Sequence, residues 1–203
     1  MVNDNPVRIP QQKRSIEKKD KILKAAYKLI CEKGYYKMTT PEVAAKAGVS
    51  TGCLYSYFKD KHDILLDVLK WYQDQFDELR DNYSIDIEAF ASPEQWIREF
   101  MEKLIAIHDN SVAFQREIKA LFYSDPDVAA LRDAQTERIQ NASLKYIKLF
   151  IDQLNIDDLE AAAIVSSLII GGVTDQISLC KNTIDRERIL NEGVKAVCRY
   201  LKG

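Results

Sequence analysis

The sequence predicts an all-α protein of about nine helices: a small three-helix unit at the N-terminus, then a linker helix leading into a larger helical region. Three observations predict it. In segment after segment the apolar residues recur at i, i+3, i+4 and i+7, the spacing that gathers them on one face of a helix. Those segments open on capping residues at Asp60, Ser92, Asp125, Asp157 and Asp185. No segment alternates apolar and polar residues as a half-buried strand would.

Residues 1–14 hold Pro6, Pro10 and several polar residues without a period, and read as a flexible arm. Its Arg8, Lys13 and Arg14 are placed either to reach phosphates or to trail as a tail. The first helix runs from about Ser15 to Lys33, its stripe being Ile22, Ala25, Ala26, Leu29 and Ile30, and Gly34 stops it after a basic last turn. The stretch from Thr39 to Phe58 reads as two short helices about a turn at Gly48, with Val43, Ala44 and Ala47 inward in the first, and Leu54 and Phe58 one turn apart in the second. Residues 15–61 thus form one domain built on a helix-turn-helix.

The second of those helices begins at Ser50 and leaves Gly52 and Ser56 outermost, flanked by Cys53 and Tyr55. A small, hydroxylated and aromatic face suits a groove of DNA better than a core, the bland alternative being a packing unit with tyrosines as amphipathic cover. Unpaired N–H groups at the helix start attract phosphate, and Gly52 clears a side chain where a sugar-phosphate backbone would approach. Tyr55, Ser56 and Tyr57 offer hydroxyls to phosphate oxygens, and Lys59 and Lys61 follow as point charges. The candidate DNA-binding residues are Thr39, Thr40, Ser50, Thr51, Gly52, Cys53, Tyr55, Ser56, Tyr57 and Lys61. Charge agrees: residues 1–61 hold 13 Lys+Arg and 6 Asp+Glu, whereas residues 62–203 hold 16 and 25. That asymmetry puts a polyanionic partner at the N-terminal end.

At Gly48-Val49-Ser50-Thr51-Gly52-Cys53-Leu54-Tyr55-Ser56-Tyr57-Phe58-Lys59-Asp60-Lys61 the chain resembles the tetracycline-repressor (TetR) family of bacterial transcription regulators. The specific part of the resemblance covers about residues 16–66. It departs from the family signature at Thr51, where lysine is frequent, and at Cys53, where a hydroxyl is frequent. The resemblance implies a homodimeric repressor that binds an inverted-repeat operator in double-stranded DNA and is released by a small-molecule effector.

Asp60 caps a fourth helix, expected to reach about Asn82 through Ile64, Leu65, Val68, Leu69, Tyr72, Phe76 and Leu79. Ser92-Pro93-Glu94-Gln95 opens a fifth through His108, Ser111–Phe122 is a short sixth, and Asp125-Pro126 starts a seventh to about Leu154. The seventh carries Ile139, Ala142, Tyr146, Leu149 and Phe150 on its stripe. These helices hold more large apolar side chains than one stripe buries, and in the TetR resemblance this region encloses the effector. The candidate ligand residues are Trp71, Tyr72, Trp96, Phe100, Met101, Leu104, His108, Phe114, Glu117, Ile118, Gln140 and Tyr146. The expected ligand is apolar or amphipathic, with ordinary core packing as the alternative for each residue.

Asp157 and Glu160 read as a capping box for an eighth helix that is apolar almost all round, with Gly171-Gly172 within it. Asp185 caps the last helix. Two final antiparallel helices with surplus apolar surface read as half of a four-helix dimer interface, with Ile170, Thr174, Ile177, Leu190, Val194 and Val197 as candidate contacts, or else as the completion of the subunit's own core. Residues 62–203 are read as one ligand-binding and dimerisation domain.

With 203 residues and 46% hydrophobic content the chain is able to bury a sizeable core. The longest uncharged apolar run, Ala161 to Thr174, is short of the roughly 20 residues a bilayer needs, and the N-terminus lacks the pattern of a signal peptide. A cytoplasmic protein with no membrane partner is expected. Cys31, Cys53, Cys180 and Cys198 are isolated, so neither a disulfide framework nor a zinc site is indicated. His62-Asp63 and His108-Asp109 spell the metal-binding dipeptide of phosphohydrolases, yet two histidines in total do not supply such a site, and no other catalytic arrangement is present. No cofactor, metal or enzymatic activity is expected. A helix-turn-helix protein that organises DNA without effector control remains the alternative.

Overall fold

The computed structural model describes residues 13–84 and 92–203, with side chains over 15–79 and 92–203. The arm expected at 1–14 lies outside these, apart from the backbone of Lys13 and Arg14. Among the described residues there are nine α-helices and no strand: α1 Lys13–Lys33, α2 Thr40–Ala47, α3 Thr51–Tyr55, α4 Lys61–Ser84, α5 Pro93–Asp109, α6 Val112–Leu121, α7 Pro126–Leu149, α8 Leu159–Leu179 and α9 Arg186–Lys202. The protein is all-α, as its periodicity predicts.

The chain divides into two compact units. One comprises residues 1–73 and 113–131, the other residues 74–112 and 132–203.

In the first unit, α1 packs on α2 and α2 on α3. Ile22, Ala26, Val43, Leu54, Phe58, Ile64, Leu65 and Val68 are all 0–1% exposed and form its centre. Two glycines make the turns. Gly34 at φ +82° ends α1 with its N–H on the Ile30 carbonyl, and Gly48 at φ +68° ends α2, both in the left-handed region that other residues seldom enter. Phe114 of α6 is fully buried beside Tyr27 and Tyr72, each with its ring centroid 4.8 Å away. The burial of aromatic faces, worth about 1.5–3 kcal/mol for a large side chain, holds α6 in this unit.

In the second unit, α5, α8 and α9 pack on one another. Their buried cluster includes Trp96, Ile97, Met101, Ala162, Ala163, Ile177, Leu190, Val194, Val197 and Leu201, with Tyr146 and Phe150 beside Trp96. Gly193 lets α8 and α9 come close, since a Cβ there would stand 2.7 Å from Val173 Cγ1. At Gly171 and Gly172, where the sequence suggested close approach, a Cβ would meet nothing within 4 Å.

Three expectations need correction. The seventh helix stops at Leu149, not near Leu154, because the Phe150 N–H bonds to the Ile147 carbonyl and the chain tightens into a 3-10 turn over Ile151–Gln153. Leu149, placed on its inner stripe by periodicity, is exposed. The cap of α8 is Asp158, whose Oδ1 accepts the N–H groups of Glu160 and Ala161 at 3.1 and 3.0 Å, rather than Asp157. And α8, at 21 residues, is long and apolar enough to cross a membrane by length and composition. The uncharged run understated it, because a helix keeps its apolar character past Glu160 and Asp175.

Candidate nucleic-acid interface

Ser50 sits in extended backbone and caps α3, its Oγ accepting the Cys53 N–H at 3.1 Å. Leu54 is fully buried, which turns Thr51, Gly52, Tyr55 and Ser56 outward; Cys53 is half-buried. A Cβ at Gly52 would meet no atom within 4 Å, so nothing inside the subunit requires glycine there. Because α3 has only five residues its dipole is weak, and attraction for phosphate rests on side chains more than on the helix end.

The hydroxyls around this face are oriented by one another. Tyr55, about half exposed, has its OH 2.8 Å from Thr40 Oγ1, which links the end of α3 to the start of α2. Thr39 directs both its N–H and its hydroxyl to Glu42 Oε2, at 3.0 and 2.7 Å, and so serves as the cap of α2. Glu42 also meets Lys33, and the Lys33 and Thr39 hydrogen bonds hold its carboxyl down at about 2. Ser56 donates to the Cys53 carbonyl at 2.7 Å.

Two residues stand elsewhere than the sequence placed them. Tyr57 is 7% exposed and its OH lies 2.9 Å from Ser15 Oγ, so it pins α1 instead of reaching outward. It falls just past the end of α3, where the helical wheel no longer applies. Lys61 donates to the carbonyls of Tyr35 and Tyr36 at 3.3 and 3.2 Å, with Nζ 4.6 Å from the Tyr35 ring centroid. Its charge steadies the turn after α1. Lys37 and Lys59 are exposed, and neither pairs with a carboxylate among the described residues. Sequence reasoning missed Lys37 and the 71% exposed Tyr36; only their place after Gly34 hinted at them.

The twelve candidate ligand residues fall in both units. Trp71, Tyr72, Phe114, Glu117 and Ile118 belong to the first; Trp96, Phe100, Met101, Leu104, His108, Gln140 and Tyr146 to the second. Glu117, expected at a cavity, instead accepts the Tyr35 N–H at 2.7 Å. In the second unit Trp96 stacks on Phe100 and tilts against Tyr146, with centroids 5.3 and 4.8 Å away, and all three are buried. His108 lies edge-on to Phe76, with Nδ1 3.7 Å from Asp175 Oδ1.

The candidate dimer residues are mostly inside the subunit. Thr174, Ile177, Leu190, Val194 and Val197 are 1–4% exposed in the single chain, and Ile170 is half-buried. Periodicity identified an apolar stripe correctly, but α8 and α9 turn it against each other and α5. What faces outward is Ile164, Leu168, Gly171 and Gly172 on α8 and Tyr200 on α9, Leu168 being 66% exposed.

Residues 22–68 match the bacterial regulatory proteins of the tetR family. The HTH-type transcriptional regulator HbdR of Aromatoleum sp. is 45% identical over 62 residues, 30% of this chain and 27% of that protein. The fatty acid metabolism regulator protein of Bacillus subtilis is 31% identical over 102 residues, 48% of this chain and 51% of the regulator. These matches span about half or less of the curated relatives. Salmonella enterica GusR shares the fold, with a TM-score of 0.75 over 95% of this chain and 99% of that one, at 16% identity. The segment 22–68 is thus that of the tetR family of bacterial regulatory proteins, and the chain as a whole shares the fold of solved TetR-family structures.

Proposed function

We propose that the protein is a homodimeric transcriptional repressor that binds an inverted-repeat operator and releases it when a small effector binds. The observation that carries the reading is the outward face of α3: Thr51, Gly52, Tyr55 and Ser56 exposed, over a fully buried Leu54 and a Tyr55 hydroxyl held by Thr40. Hydroxyls and a bare backbone position suit close approach to a groove, and Lys37 and Lys59 add phosphate contacts around it. A role in transcription makes the cytoplasm its place of work, and no part of the reading calls for catalysis.

The dimer face, on this reading, is the outward stripe of α8 with Tyr200 of α9. An apolar stripe open at Gly171 and Gly172 accommodates the same stripe of a second copy at close range. The effector belongs in the second unit among α5, α7 and α8, near His108 and Gln140. An apolar or amphipathic ligand suits the aromatic surroundings, and the likeness to a fatty acid metabolism regulator favours an acyl chain. Release follows if the ligand binds better to a form whose recognition helices do not fit successive major grooves.

In vitro selection of random duplexes, followed by sedimentation of the protein with and without the selected DNA, tests this reading. Enrichment of one inverted repeat bound by two chains supports it. Even coverage of all sequences would instead favour a DNA-organising protein without operator control.

A further inference from the structure

We propose that His62, Asp125 and Asp127 form a site for a divalent transition-metal ion that ties the first turn of α4 to the first turn of α7. All three residues lie in the first unit, and their ligand atoms are within 4.8 Å of one another. His62 Nε2 is 2.9 Å from Asp125 Oδ2 and 3.8 Å from Asp127 Oδ2. Ligands held about 2.0–2.2 Å from one ion stand about 3–3.5 Å apart, so small side-chain rotations complete the set.

The carboxylate of Asp125 is already oriented for the task. Its Oδ1 accepts the N–H groups of Asp127 and Val128, at 3.0 and 3.1 Å, which leaves Oδ2 turned to His62. Metal sites are commonly steadied by such outer hydrogen bonds. Asp127 is the telling member. Capping α7 requires only Asp125, and the Asp127 side chain makes no other polar contact among the described residues, yet it points at the same imidazole.

A ring nitrogen with two carboxylate oxygens suits zinc, manganese, cobalt or nickel better than magnesium or calcium. His62 and Asp127 are 34% and 69% exposed, so water has access to fill the remaining coordination positions. The positive ends of α4 and α7 oppose a cation, while two carboxylates outweigh them, which points to a moderate, exchangeable site. The sequence motif His62-Asp63 misleads about which acid takes part. Asp63 instead accepts the Lys59 N–H at 3.1 Å, and the fold brings Asp125 and Asp127 to the histidine from 63 and 65 residues away.

The test uses the full chain stripped with a chelator and titrated in turn with Zn2+, Mn2+, Co2+ and Mg2+, read by calorimetry, thermal unfolding and the visible spectrum of Co2+. Expected are one equivalent of a transition metal per chain, a saturable rise in melting temperature and little response to Mg2+. Asp127→Asn should leave the metal-free melting temperature unchanged and weaken binding at least about tenfold, and His62→Ala should abolish it. Absence of saturable binding would show that the cluster is a hydrogen-bonded cap alone. Binding that survives both substitutions would place the ion elsewhere, and a variant with Cys31, Cys53, Cys180 and Cys198 changed to Ser identifies thiolate capture. Either outcome overturns the site. The experiment needs no DNA, so its failure leaves the repressor reading untouched.

Discussion

The Glu117 carboxylate accepts the backbone N–H of Tyr35 at 2.7 Å, joining α6 to the turn that ends α1 across 82 residues of sequence. Gly34 leaves room for it, since a Cβ there would lie 2.9 Å from Glu117 Oε1. The same Tyr35 residue gives its carbonyl to Lys61, so one turn is gripped by α6 and α4 together. Glu117→Ala should lower stability by about 1–3 kcal/mol, the cost of a half-buried N–H left unpaired. Glu117→Gln retains an acceptor and should lose less than half of that, as read by urea unfolding. Equal losses in the two variants would mean that charge, not the hydrogen bond, matters.

Tyr55 and Tyr57 are two residues apart and should behave oppositely. Tyr57→Phe breaks the contact with Ser15 and should cost about 0.5–1.5 kcal/mol of stability. Tyr55→Phe, at a half-exposed residue bonded to Thr40, should change the melting temperature little and weaken binding to the selected operator. Melting curves and mobility-shift titrations on both variants check the pair.

How much of this was legible beforehand depends on the range of the contacts. Caps and stripes are local, which is why the sequence marks Asp60, Ser92 and Asp185 as caps and Leu54 as an inward residue. Tyr57 was misplaced because a helical wheel presumes a helix, and α3 stops at Tyr55. Periodicity marks a buried stripe on α8 and α9 without saying what covers it, so the sequence leaves Val194 and Val197 open between a partner and the subunit's own core, and it is their own chain that buries them. The bonds of Glu117 to Tyr35 and of Asp125 to His62 span 82 and 63 residues and leave no spacing signal.

Acid sensitivity should appear at the contact between α1 and α2. The Lys33 and Thr39 hydrogen bonds hold the Glu42 carboxyl at about 2, below its ordinary value. A carboxyl depressed on folding stabilises the folded state fully above its unfolded value, and the contribution fades as pH falls toward 2. Glu42→Gln should therefore flatten the fall in melting temperature between about pH 5 and pH 2. Added salt should shrink the difference, because this pair is solvent-exposed and screened. A melting series at two ionic strengths checks both.

The glycines of α8 and α9 separate packing inside the subunit from packing between copies. Gly193→Ala drives a Cβ to 2.7 Å from Val173, and overpacking of that kind should cost about 1–3 kcal/mol in the single chain. Gly172→Ala meets no atom of its own chain and should raise helix stability by up to about 1 kcal/mol. On the proposed dimer face the same methyl stands where a second α8 approaches, so the variant should dissociate at higher concentration than the parent while each chain stays folded. Leu168→Glu extends the contrast: at 66% exposure it should leave the fold intact and produce monomers, whereas Val197→Glu, at 1%, should unfold the second unit. Sedimentation velocity with circular dichroism distinguishes the outcomes. If Leu168→Glu stays dimeric, the outward stripe of α8 is not the contact, and its apolar surface then needs another cover, for which binding to lipid vesicles is the first measurement.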